Sequence, residues 1–124
     1  MITVSSLPKT WIIDVDGTIF RHNGHLNGED VLLPGVTELF LTIPFEDVIV
    51  LMTARNEVDR EATIGALTKY GIRFNHIIFN IPVGERLLIN DTKPSGLLTA
   101  HAFNVVRDGG LFPVLDNLRV SSEL

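Results

Sequence analysis

The sequence predicts a single α/β domain, Rossmann-like, with a parallel sheet of about five strands and helices on both faces. Three observations predict it. Short, continuous apolar runs rich in β-branched residues recur along the chain, as in strands buried on both faces. Helical stretches bounded by Pro, Asn or Gly alternate with them. Polar residues close three of the runs: Asp14 and Asp16, Thr53 and Arg55, Asn90 and Asp91. A parallel sheet gathers its ligands at the carboxyl ends of its strands.

Residues 10–15 read as the first strand, with Trp11 in the core. Residues 17–33 carry Gly17, Gly24, Gly28, His22 and His25, and read as a turn and a flexible excursion, a flap over about 19–33 with exposed histidines. Pro34 opens a helix whose Val36, Leu39, Phe40 and Ile43 make one stripe at i, i+3, i+4 and i+7, and Pro44 stops it. "DVIVLM", residues 47–52, is the second strand. Asn56 is placed to cap a helix running to Tyr70, and Gly71 to end it. Residues 76–80, 86–90 and 102–106 read as the third, fourth and fifth strands, with a short helix from Pro94 to about Ala100. His76 and His101 precede strands and read as structural. From Gly109 the chain has no clear period. That tail, residues 109–124, is expected to dock on the sheet or cover a neighbouring subunit's site, with its last four residues disordered.

Composition narrows the function classes. A chain of 124 residues, 45% apolar, fills one core, so 1–124 is read as one domain. There is no cysteine, which excludes disulfides and thiolate zinc sites and makes a cytoplasmic setting the default. No apolar run is long enough to span a membrane, and the N-terminus lacks the pattern of a signal peptide. A net charge of −5 argues against nucleic acid as an obligatory partner.

Asp14, Asp16 and Asp91 at one sheet edge would repel one another unless a cation joins them. A hard divalent ion with oxygen ligands, Mg²⁺, fits that set. A carboxylate beside Mg²⁺ can attack phosphorus, and a second acid two residues on can protonate the leaving oxygen and then activate water. Thr53 offers a hydroxyl, and the N–H groups after it, from Ala54 and Arg55, open a helix that can cradle phosphate. Gly17 and Thr18 turn the chain beside them.

These residues carry a resemblance. "DVDGT" resembles the first motif of the haloacid dehalogenase superfamily, D-x-D-G-[TV]; "VIVLMTAR" is similar to its second and "RLLINDTKP" to its fourth. The similarity covers residues 10–107, in order. It implies Asp14 as nucleophile and Asp16 as general acid/base and carbonyl ligand of Mg²⁺. It also implies Thr53 as phosphate hydroxyl and Asp91 as metal-binding acid, in the phosphatase branch. Two departures stand out. The cation of the third motif does not announce itself. Five residues of strand span roughly 17 Å, which would put Arg86 at the far end of the fourth strand, so Lys93 is favoured over Arg86 and Arg55. A further acid after Asp91 is missing. No segment is long enough for a cap domain, so the resemblance is to a capless member.

The expected function is a Mg²⁺-dependent phosphomonoester hydrolase working through phospho-Asp14. Its substrate would be a phosphorylated small molecule or something larger, and a homo-oligomer is compatible with the pattern. The alternative is a non-catalytic or slow phospho-acceptor that binds Mg²⁺ on the same fold. Mutase chemistry is disfavoured by the absent cap.

Overall fold

The computed structural model describes all residues, 1–124. β1 spans Ile2–Ser5, β2 Thr10–Asp14, α1 Val36–Thr42, β3 Val48–Met52, α2 Arg60–Lys69, β4 His76–Ile78, α3 Phe112–Asn117 and β5 Leu118–Ser121. Single 3₁₀ turns lie at Gly24–Asn27 and Glu57–Asp59. All paired strands run parallel, in two sheets: β2-β3-β4, and β1 with β5. The chain is therefore a small α/β fold, and no helix is long and apolar enough to cross a membrane.

The central register follows from burial and one acid. Thr10 faces Val48 and Asp14 faces Met52, so β2 and β3 end side by side. Asp47, buried just before β3, accepts the Lys9 N–H at 3.1 Å and the Trp11 indole N–H at 2.9 Å. A buried carboxylate needs such donors, and these hold β2 in place against the start of β3. The predicted stripe of α1 is buried at Val36, Leu39 and Phe40, and Ile43 just beyond its end is buried too; all pack with Ile49 and Leu51 of β3. Each such side chain contributes roughly 1.5–3 kcal/mol on full burial.

α2 starts later than the sequence suggests. Asn56 makes no side-chain cap, and a 3₁₀ turn precedes Arg60. The far end matches expectation. Gly71 takes φ +71°, its N–H reaches the Thr68 carbonyl, and the Ile72 N–H reaches Leu67 at 2.9 Å. That is the paired C-terminal bonding that a glycine permits.

The flap is part of the core, not a loose excursion. Ile19 and Phe20 are fully buried. The Arg21 N–H bonds the Val31 carbonyl and the Leu33 N–H bonds that of Ile19, each at 2.9 Å. The Tyr70 hydroxyl donates to the Asp30 carbonyl at 2.9 Å, clipping the flap to the end of α2.

Three further expectations are corrected. Residues 86–90 and 102–106 form no strands, and 94–100 hold only a turn closed by the Gly96 N–H on Lys93. Residues 82–96 are exposed throughout, and β2 remains a terminal strand of its sheet. A short apolar run becomes a strand only beside a partner ladder, and this one has none. The tail docks through elements of its own, and of the last four residues expected to be disordered, Ser121 lies in β5. Residues 112–117 are helical with a Pro in the first turn, and β5 pairs with β1 from Ile2–Leu118 to Ser5–Ser121. Beyond β5, the Glu123 N–H still bonds Ser121 Oγ at 3.2 Å. The tail is seated where the Leu111 N–H bonds the Pro34 carbonyl at 2.8 Å. There Gly35, at φ +79°, comes so close that a Cβ would lie 2.6 Å from the Phe112 nitrogen.

Candidate functional site

Asp14 closes β2 and is two-thirds buried, with its carboxylate at the carboxyl edge of the three-stranded sheet. Gly17, at φ +83°, turns the chain back so that Thr18 Oγ donates to Asp14 Oδ2 at 3.2 Å. The Arg86 guanidinium lies 3.2 Å from Asp14 Oδ1. Burial pushes the Asp14 carboxyl above its ordinary value. Arg86, the Thr18 hydroxyl and the Val15 N–H pull it back only in part, and Asp16 adds to the rise.

Asp16 belongs to a different cluster. Arg55 donates to it from Nε at 3.0 Å and from Nη2 at 2.8 Å. The other edge of the same guanidinium donates to Asp30 at 2.7 and 3.0 Å, and Nη1 also donates to Thr63 Oγ at 3.0 Å. Burial works against the Arg55 charge, but the bonds and charges of Asp16 and Asp30 outweigh it, so the guanidinium is held more firmly charged than a free arginine. His25 Nδ1 lies 3.8 Å from Asp16 Oδ1 and is buried without a hydrogen-bond partner. Asp16, His25 and Asp30 thus bring three metal-type donors within 4.8 Å of one another. The space between the two carboxylates is filled by Nη2 of Arg55, so the cluster's cation is that guanidinium.

Thr53 directly follows β3 and is fully buried, and its hydroxyl accepts the Arg55 N–H at 3.0 Å. It closes a turn. Ala54 is exposed, and no helix begins at this point, so the expected cradle of helical N–H groups is not formed here.

The structure therefore gathers Asp14, Gly17, Thr18 and Arg86 in one group, and Asp16 with Arg55 in a neighbouring one. It leaves Asp91 and Lys93 out. Asp91 is exposed and its carbonyl takes the Thr99 hydroxyl; Lys93 is exposed and bonds through its backbone alone. Arg86, not Lys93, meets Asp14, because the segment after Arg86 is not a strand and its length does not carry Arg86 away. The expected Mg²⁺ ligands are not assembled through their side chains; the Asp16 carbonyl, expected as a backbone ligand, is a separate donor. The oxygens of Asp14 are used by Thr18 and Arg86, those of Asp16 by Arg55, and Asp91 contributes none.

Sequence reasoning missed Asp30, and it read His25 as an exposed flap histidine, whereas the His25 side chain is 21% exposed with a buried Nδ1. Nothing in their spacing marks them, since they reach Arg55 and Asp16 only through the buried turn at Ile19–Phe20. It also missed Arg107, whose side chain packs over Gly17 while the Asp108 N–H bonds the Gly17 carbonyl at 2.9 Å.

Fold and site together define a small α/β protein with an acidic, arginine-paired edge on a parallel sheet. No family model, curated protein or solved structure matches the chain.

Proposed function

We propose that the protein is a phosphomonoester hydrolase of the haloacid dehalogenase type, capless, with Asp14 as nucleophile. One observation supports this most: a carboxylate two-thirds buried at the end of a parallel strand, 3.2 Å from a guanidinium that can hold a phosphoryl group. In the reaction an Asp14 oxygen attacks phosphorus and the P–O bond to the leaving group breaks. The departing oxygen takes a proton from an acid, and water then cleaves the aspartyl-phosphate to release phosphate. Arg86 would move from Asp14 to the incoming phosphoryl oxygens, and Thr18 would orient the carboxylate. Mg²⁺ and a cytoplasmic setting belong to the same reading. Since the donor set is not assembled as held here, no step is routed through the metal.

A second reading has its own support. Asp16 is tied to Arg55, away from the role of leaving-group acid. A positioned general acid contributes typically ~10²–10⁴-fold. Without it, phospho-Asp14 would form and persist, making the chain a slow phospho-acceptor.

The test is hydrolysis of p-nitrophenyl phosphate by wild type and Asp14→Asn, with Mg²⁺ or with EDTA, beside intact mass after acetyl phosphate. Turnover lost in the variant supports the hydrolase. A stable phosphate adduct on Asp14 supports the acceptor. Neither turnover nor adduct refutes both.

A further inference from the structure

Residues 82–107 form a strap that is ordered yet uncovered. It is anchored at both ends. The Asn80 and Ile81 N–H groups bond the Arg55 and Thr53 carbonyls, and Arg86 pairs with Asp14. At the other end the Asp108 N–H bonds Gly17, and the His22 N–H bonds Asp108 Oδ1 at 2.7 Å. Within the strap, the Lys93 N–H bonds the Leu97 carbonyl and Asn90 Nδ2 bonds Thr99 Oγ at 3.0 Å. Yet Val83, Leu87, Leu88, Ile89, Leu98 and Val106 are 58–94% exposed.

Scattered exposed apolar residues are ordinary, but six large ones within 24 positions of one ordered segment are not. Their own chain does not cover them while these anchors hold. We propose that the strap is a homodimer interface, covered by the strap of a second copy of this chain about a two-fold axis.

Two observations favour a second copy over another partner. The first is area. A large aliphatic side chain presents on the order of 100 Å², so the six, 58–94% exposed, supply more than half of the ~800 Å² that each partner gives to a stable interface, before the strap's backbone and polar groups are counted. The second is charge. The whole chain carries −5, but the strap holds Arg86, Lys93 and Arg107 against Glu85 and Asp91. It is thus a face on which two acidic copies can meet without adding to their repulsion. A two-fold interface needs a patch that complements itself, and an apolar, nearly neutral strap does so. This inference does not depend on the hydrolase reading.

The experiment is sedimentation equilibrium of the full chain at micromolar concentration, beside the double variant Leu87→Ser, Ile89→Ser. The wild type is expected to be a dimer. The variant is expected to dissociate with roughly 10⁴-fold weaker affinity, about tenfold for each of the four buried side chains lost per dimer. Its circular dichroism should be unchanged, because both side chains face solvent in the single chain. A spin label on Leu98→Cys, the sole cysteine of such a protein, should report a neighbouring label in the dimer. A wild type that stays monomeric overturns the proposal. So does a dimer that survives the double substitution, or labels that never sense each other, since each places the contact elsewhere.

Discussion

Replacing Arg55 by alanine strikes the most heavily bonded side chain of the protein. Arg55 is 2% exposed and donates to Asp16, Asp30 and Thr63, with Asp30 itself 7% exposed. Arg55→Ala leaves two carboxylates and a hydroxyl facing a void. Removing one partner of a buried ion pair costs about 3–5 kcal/mol. Asp16 keeps some access to water, at 15% exposure, which argues for the lower half of that range. Loss of the guanidinium stacked 5.8 Å over the Phe20 ring argues the other way. Against a total stability of about 5–15 kcal/mol, a loss near 4 kcal/mol is a large fraction of the fold. At ~3–4 °C per kcal/mol for a chain this size, Tm should fall by about 10–15 °C. Urea unfolding at pH 7, followed by circular dichroism, measures it. Glu57→Gln is the comparator: Glu57 pairs with Arg60 on the surface, where such pairs contribute little. Asp30→Asn should fall between the two, since Arg55 would keep Asp16. If Arg55→Ala unfolds at the same urea concentration as Glu57→Gln, the network does not bind the flap to the sheet.

Other substitutions probe other parts. Gly35→Ala should cost more than ~1 kcal/mol, from a left-handed backbone and the overlap with Phe112; thermal melts read it, and a neutral result would mean the tail is not seated on Pro34. Asp14→Asn should remove hydrolysis or phosphate uptake yet raise Tm at pH 7. The sign follows from burial: a carboxyl whose folded value is raised above 3.8 adds stability below that pH and loses it as pH climbs through the folded value. The Tm difference between wild type and variant should therefore vanish below pH 4, and a variant less stable than wild type at pH 7 would contradict the raised value. Arg86→Ala should lower affinity for phosphate or vanadate, read by calorimetry, while Lys93→Ala leaves it unchanged; the reverse result would return the phosphate-pairing role to Lys93.

The parts legible in the sequence were those set by local pattern. The α1 stripe, the apolar runs of β2 and β3, and the Gly71 stop each depend on neighbours within a few residues. Asp14, Gly17 and Thr18 were legible as a group because one tight turn joins them. What escaped depends on partners far along the chain. "RLLIN" is as apolar as "VIVLM", but Val48–Met52 lies between β2 and β4 while residues 86–90 lie beside no ladder. Phe112–Ser121 has no period, yet becomes α3 and β5 because Pro34 and β1 receive it. Arg55 read as a phosphate ligand because its acids, Asp16 and Asp30, are 39 and 25 positions away.

The pairing of β1 with β5 has a mechanical consequence. The two strands run parallel, so the first residues of one and the last residues of the other sit at opposite ends of the ladder. Tension applied through Met1 and Leu124 would load all four residue pairs together in shear instead of opening them one by one. The sheet carrying Asp14 would feel none of that pull until the ladder slipped. This short two-stranded clasp, in a sheet separate from the one that carries the acidic edge, would then act as the latch through which the rest of the fold resists stretching.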